Sequence, residues 1–432
     1  MILFPFFSHP FSCISFSIRQ SYTEMSLEEL LDVIRNHPVI DNHAHNLLLA
    51  NEAKKDEFLS ITSEARGKAL EDTTTSLSHL RAKRQLRELY GCDESDWNSI
   101  WEYREQWMED NPDALARKCF QGTHSILMDD GLGGISGAKT VHPYYYHDRF
   151  TRARTKRIVR IETVAEGCFL NAMKKLDITR KGRSRMDVEQ LTTLKKDFGD
   201  MFNDAMLNAI NDDNVVGFKS VVCYRTGLNV SLDYTRDSQS IPDEAFRNVL
   251  QTLPPFVEQH GFKLNTKAVN DWVVARTIDL IRTTEGESAF IKKPIQFHTG
   301  LGDNDIDLRT ASPTHLKPWI EQYPWVPFVL LHSSYPFTRE AGYLAMAYPN
   351  AYLDIGEVFP QLSRDGQISV LKQALELVPG SKLLWSTDGH GFPETYYLAN
   401  LQFREALEEV SIIYYANSCS LCTIHSVEKS SS

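Results

Sequence analysis

The sequence predicts an α/β fold, a (β/α)8 barrel of the TIM type with a helical insertion after its first strand. Three observations predict it. Eight short apolar runs recur along the 432 residues, each bounded by turn or helix signals. Several are almost continuously hydrophobic, as strands buried on both faces must be. Segments of helical period separate them, and polar residues gather at their C-terminal ends. A doubly wound open sheet explains eight strands less well, and no Gly-x-Gly-x-x-Gly follows the first run.

In chain order, residues 1–24 are rich in Phe, Ser, Ile and Pro, with no Lys or Arg before Arg19. They lack the positive start and small-residue cleavage site of a secretory signal and are too interrupted to span a membrane. They are expected to be a disordered or artefactual extension, with the globular protein starting near Met25. Ser26-Leu27-Glu28-Glu29 reads as a capping box, followed by Leu30, Leu31 and Ile34 at helical spacing. The runs expected as strands are 39–45, 125–132, 156–165, 215–224, 294–300, 327–334, 351–356 and 382–389. Residues 46–120 form the helix-prone insertion, in which Trp97, Trp101 and Trp107 mark the apolar face of a packed helix. Residues 166–213 are a second helical excursion, broken by the basic Arg180-Lys181-Gly182-Arg183, which reads as a solvated loop. The barrel is expected to occupy 25–410. Residues 411–432 are expected to be an irregular tail standing where barrel-closing helices should be. Their Cys419-Ser420-Leu421-Cys422 and His425 lack a fourth ligand for zinc.

Composition narrows the function. Apolar residues make up 42% and charged residues 24% of the chain, as in ordinary soluble proteins. A formal net charge of −11 argues against nucleic acid or an anionic membrane as the main partner, so a small-molecule substrate is expected. A homo-oligomer stays open. The seven cysteines are an odd number, spread thinly, with one inside Val221-Val222-Cys223-Tyr224. They read as reduced thiols of an intracellular, cytoplasmic protein.

The chemistry lies at the ends of the runs. In a strand, His43 and His45 share one face, and two imidazoles on one face suit a shared metal ion. Alone, they read equally as two polar residues meeting solvent. The fourth run places Lys219 inside an apolar strand, where an unpaired ammonium is costly. The simplest partner would be a carboxylate such as Asp388. The fifth run ends Gln296-Phe297-His298-Thr299-Gly300, the sixth Leu330-Leu331-His332-Ser333-Ser334, and the eighth Trp385-Ser386-Thr387-Asp388-Gly389. In a barrel, all these ends meet at one mouth.

His43-x-His45, Lys219, His298, His332 and Asp388, in that strand order, resemble the metal-ligand pattern of the amidohydrolase superfamily. Gly217-Phe218-Lys219 is similar to the strand-four lysine that members carboxylate with CO2. The stretch Gln296-Phe297-His298-Thr299-Gly300-Leu301-Gly302-Asp303 resembles the amidohydrolase-2 group, as does Leu330-Leu331-His332-Ser333-Ser334-Tyr335-Pro336. Within that group the likeness is to the N-terminal domain of fungal FluG-type proteins, which precedes a glutamine-synthetase-like domain absent from this sequence. The resemblance implies a metal-dependent hydrolase cleaving a C–N bond, amide-like or cyclic amide. It implies one or two divalent ions, zinc foremost, with His43, His45 and Asp388 at one and His298 and His332 at the other. A carboxylated Lys219 would bridge them, and Asp388 would carry a proton from water to the leaving amine. Arg160, Glu162, Arg225 and Asp129 are the candidate substrate contacts, with Asp130 and Tyr224 beside them. Each reads equally as an ordinary ion pair. Two other functions stay open. One is a one-metal decarboxylase on the same barrel, which does not need the lysine. The other is a non-catalytic FluG-like developmental or signalling domain, against which an intact ligand set counts.

Overall fold

Each of the eight runs contains a strand. In this computed structural model the described residues are 25–429, apart from 56, 94–95, 111, 133–139, 179–185, 235–239, 256, 258–260 and 285–291. The strands are β1 (Val39–Ala44), β2 (Thr123–Asp129), β3 (Lys156–Arg160), β4 (Val215–Ser220), β5 (Ile295–Phe297), β6 (Phe328–Leu330), β7 (Ala351–Asp354) and β8 (Leu383–Leu384). All neighbours pair in parallel and in sequence order. At the seam, Asn42 N–H donates to Trp385 O and Asp388 N–H to His43 O, both at 3.0 Å. The sheet is therefore a nearly closed barrel, and the C-terminal ends of its strands share one mouth.

Period-two alternation sets what faces where. Val39, Asp41 and His43 of β1 are buried while Ile40 and Asn42 are partly exposed. Phe218, Phe297, Phe328, Leu330 and Leu353 are fully buried around the barrel. A second core lies under the insertion, where Phe58, Leu86, Ile100, Leu115 and Phe120 meet Phe392 and Tyr396. Trp97 and Trp101 pack on it, their rings 5.3 and 4.7 Å from that of Phe58. The capping box at Ser26 is present, with Ser26 N–H donating to Glu29 Oε2 (2.8 Å) and Glu29 N–H to Ser26 Oγ (3.2 Å). Among the described residues, no helix is long and apolar enough to cross a membrane.

Three expectations are corrected. The third strand ends at Arg160, and the helix Ile161–Lys175 follows directly. Ile161, Ala165, Phe169 and Ala172 are its buried stripe, and β-branched Ile161, Thr163 and Val164 hide that helical spacing. The fourth ends at Ser220, with a single 3-10 turn at Val222–Tyr224. The third concerns the C-terminal tail, expected to be irregular from 411. Instead one helix runs Pro393–Lys429 and packs on the helices Leu27–Asn36, Pro112–Cys119, Val358–Gln361 and Arg364–Leu377. Leu398, Ala399, Phe403, Ala406 and Val410 are buried along its first half. No Gly or Pro follows Pro393 in it, so the packed half nucleates the helix and each further residue extends it at small cost. The barrel wall is closed there. Residues 1–24, the basic run at 180–183 and the side chains of Cys419, Cys422 and His425 lie outside the described residues.

Candidate metal centre

Five strand ends deliver six side chains to one place. Lys219 Nζ lies 3.4 Å from His43 Nε2 and 3.2 Å from His332 Nε2. Asp388 Oδ1 lies 3.4 Å from His43 Nε2 and 3.3 Å from His45 Nε2. The His298 and His332 rings are 4.4 Å apart, those of His43 and His332 5.5 Å. Two carboxylates join the six. Asp129 falls within ligand distance of His43 and His45, and Glu357 of His298 and His332.

The imidazoles are held from behind. His43 Nδ1 is bonded to Gln296 Oε1 at 2.8 Å, and Gln296 Nε2 donates in turn to Asn42 O at 2.7 Å. His45 Nδ1 is bonded to Asp129 O (2.9 Å) and His298 Nε2 to Leu301 O (2.8 Å). Each of these bonds uses one ring nitrogen as donor and leaves the other a lone pair, the arrangement metal-binding histidines show. Asp354 anchors the neighbouring backbone. Its Oδ1 accepts from His332 N–H (3.3 Å), Gly356 N–H (3.0 Å) and Ser386 Oγ (2.9 Å). Asp41 accepts from Thr387 N–H at 2.9 Å and so fixes the turn into Asp388. His332, Glu357 and Asp388 all have positive φ (67°, 61° and 52°), a strained backbone that gathers at functional sites. Gly300, with φ +80°, is required, because a Cβ there would lie 2.3 Å from Tyr335 O.

Electrostatics favour metal ligation. Burial, and then the charge of Lys219, hold His43, His298 and His332 well below the ordinary histidine pKa, so their nitrogens are neutral. Burial pushes the Lys219 ammonium down to about 8. Burial alone would raise Asp388, but the His45 imidazole, 3.3 Å from its Oδ1, outweighs it and keeps the carboxyl low. Glu357 is the opposite case, driven well above its ordinary value by burial and by the charge of Asp388. Three atoms of the cluster, His332 Nδ1, Glu357 Oε2 and Asp388 Oδ1, are buried with no hydrogen bond. Orphaned donors and acceptors converging in one buried place fit a divalent cation.

The other candidates divide. Arg160 and Asp129 are bound to each other, Nε and Nη2 donating to Oδ2 at 3.0 and 2.6 Å. Asp130 pairs with Arg157 at 2.9 Å. Glu162 accepts from Ser220 Oγ (2.7 Å) and does not line the cavity at the mouth. The Tyr224 ring lies against His298, tilted by 49° with ring centres 4.3 Å apart, and Arg225 beside it lines that cavity, which holds about 550 Å³. The sequence reading missed Glu357 and Glu64. Glu357 stands one residue beyond the seventh run, a position that was its only signal. Glu64 comes from the insertion and no spacing announces it, yet it lines the same cavity.

Residues 292–414 match the family model described as Amidohydrolase. The chain is also 46% identical over 397 residues to Protein fluG of Emericella nidulans, covering 91% of this chain and 44% of that protein. The chain is thus similar to amidohydrolases over residues 292–414 and to the fluG protein over most of its own length. It spans less than half the length of that curated relative. Two solved structures share the barrel fold. One is a Lactobacillus casei protein described as a metal-dependent hydrolase, with TM-score 0.65 and 23% identity, covering 88% of this chain and 89% of that one. The other is a uronate isomerase of Bacillus halodurans, with TM-score 0.51 and 14% identity, covering 91% and 90%.

Proposed function

We propose that this amidohydrolase barrel hydrolyses a C–N bond, amide-like or cyclic amide, in a small-molecule substrate with the help of one or two zinc-like ions. The observation that carries the reading is the orphaned triplet His332 Nδ1, Glu357 Oε2 and Asp388 Oδ1 amid neutral imidazoles. His43, His45, Lys219, His298, His332 and Asp388 would hold the ions, with Glu357 and Asp129 adjoining. Such an ion, when bound, acidifies water and polarises a carbonyl oxygen. Lys219 takes part as its carbamate. Its neutral amine, favoured by burial, bonds to CO2 and releases a proton to solvent, which leaves an anionic ligand. Asp388, held ionised, accepts a proton from the attacking water as its oxygen bonds to the substrate carbonyl carbon. It returns that proton to the amine nitrogen as the C–N bond breaks. Tyr224, packed against His298, helps fix that ring's orientation and excludes water from one side.

Elemental analysis of purified protein tests the metal, and one or two tightly held divalent ions per chain are expected. Lys219→Ala should lower that stoichiometry, and an unchanged value would make the lysine structural only. Turnover of an amide library in ¹⁸O-water tests the reaction. Label in the carboxylate product is expected, whereas CO2 release without label would make the protein a decarboxylase.

A further inference from the structure

We propose that Arg225 is an anion subsite of the mouth and that the substrate carries a carboxylate a few bonds from its scissile amide. The substrate class is then an N-acyl amino acid or a monoamide of a dicarboxylic acid. This deepens, and rests on, the hydrolase reading.

The argument is an accounting of the cations that line the cavity. Arg66 is engaged by Asp303 at 2.6 Å, Lys263 by Asp305 at 2.5 Å, and Arg160 by Asp129 at 2.6 Å. Lys219 is enclosed by imidazoles. Arg225 is the exception. Among the described residues it donates no side-chain hydrogen bond to a carboxylate, and the one carboxylate within 4 Å is Glu166 Oε1, at 3.9 Å. That oxygen already accepts from Leu264 N–H at 3.0 Å. Burial also pushes Glu166 up to about 7, so near neutrality it is only partly charged. Meanwhile the guanidinium is only 12% exposed and its Nε is buried without a partner. A guanidinium presents five N–H donors in a rigid fork, and burying it unpaired is costly. The fork matches a carboxylate, which it binds through two parallel hydrogen bonds.

Position makes the anion part of the substrate rather than a separate ligand. Arg225 directly follows Tyr224, whose ring lies on His298. Consecutive Cα atoms are about 3.8 Å apart, so the fork and the imidazole cluster fall within reach of one small molecule. The cavity of about 550 Å³ that both line has the size of a small-molecule site. Leu132, Val221 and Phe262 add an apolar wall for the substrate's carbon chain.

Calorimetric titration of the full metal-loaded chain with glutarate tests the subsite whether or not any amide is turned over. Arg225→Gln should weaken glutarate binding by about 10- to 100-fold, the effect of a charge-assisted pair. Arg225→Lys, which keeps the charge but not the fork, should fall between and answers the question if the Gln variant does not fold. Arg66→Gln should bind as the wild type does. Unchanged binding by both Arg225 variants overturns the proposal, as does an equal loss in Arg66→Gln, which would assign the affinity to diffuse rim charge. Tighter binding of inorganic phosphate than of glutarate through Arg225 overturns the carboxylate assignment. In turnover, an N-acetyl amino acid should exceed its methyl ester about 10- to 100-fold in kcat/KM, and Arg225→Gln should erase the difference. Glutarate binding through Arg225 without amide hydrolysis would overturn the hydrolase reading alone. Hydrolysis of acids and esters alike, indifferent to Arg225, would overturn this proposal alone.

Discussion

Two deeply buried polar regions of this chain stand in contrast. Under the insertion, Arg104 and Glu394 are 2% and 0% exposed, and their pairing is complete. Glu394 Oε1 accepts from Tyr90 Oη (2.7 Å) and from Arg104 Nε, and Oε2 accepts from Arg104 Nη2 (3.2 Å). The guanidinium lies 5.0 and 4.9 Å from the rings of Phe58 and Trp101. At the barrel mouth His332 and Glu357 are 1% and 4% exposed and Asp388 is partly exposed, yet His332 Nδ1, Glu357 Oε2 and Asp388 Oδ1 are enclosed with no hydrogen bond. Two imidazoles repeat the contrast. His147, fully buried, uses both nitrogens, on Tyr144 O and Leu47 N–H, whereas His332 leaves one idle. Buried polar groups are normally matched, so a matched set is scaffold and an unmatched set is kept for a ligand.

The sharpest way to break the contrast is Asp388→Asn. If its idle oxygen serves proton transfer, turnover should fall at least 10²- to 10⁴-fold, the usual worth of general acid–base catalysis. Metal content should stay mostly intact, because the imidazoles remain. Kinetics and elemental analysis on one preparation check both, and near-native turnover would remove Asp388 from the mechanism.

That the contrast sits at this mouth was partly legible beforehand. His43 and His45 share a face because the strand period is two, and His298, His332 and Asp388 end runs that a barrel brings together. Those readings need only local spacing and one topological rule. Glu357 escaped because it follows Gly356 on a left-handed backbone, outside any strand pattern. Glu64 escaped because its approach depends on how a 75-residue insertion, positions 46–120, folds back. The helix Pro393–Lys429 was misread past Val410 for a related reason. Its helical signal lies in the packed half, while the extension relies on propagation, which no apolar period advertises. The matched pair Arg104–Glu394 joins residues 290 apart and left no trace in either neighbourhood.

That matched region should respond through stability instead of turnover. Arg104→Met leaves the Glu394 carboxylate buried without its cation, and breaking such a pair costs about 3–5 kcal/mol. Replacing both partners with apolar residues should recover much of the loss. Denaturant unfolding of the two variants checks this, and a loss in Arg104→Met below about 1 kcal/mol would show the pairing to be incidental.

The smallest expected effect tests whether a matched imidazole behaves as scaffold. Burial pushes the His147 pKa down to about 4, against an ordinary histidine value of about 6.5. Leu47 N–H donates into its Nε2 at 3.2 Å, so protonating that nitrogen would destroy a bond between β1's exit and the 3-10 turn Tyr144–Arg149 that follows β2. The sign follows from proton counting. Between pH 6.5 and 4 the unfolded chain binds a proton there that the folded chain refuses. Stability from this residue is therefore full above pH 6.5 and lost as pH falls towards 4, by on the order of 3 kcal/mol. Urea unfolding at pH 7 and pH 4.5 should show a steeper acid loss in the wild type than in His147→Gln, which has no titration. Parallel losses in the two proteins would mean that His147 takes up its proton as freely in the fold as out of it, and that a second hydrogen bond does not mark an imidazole as scaffold.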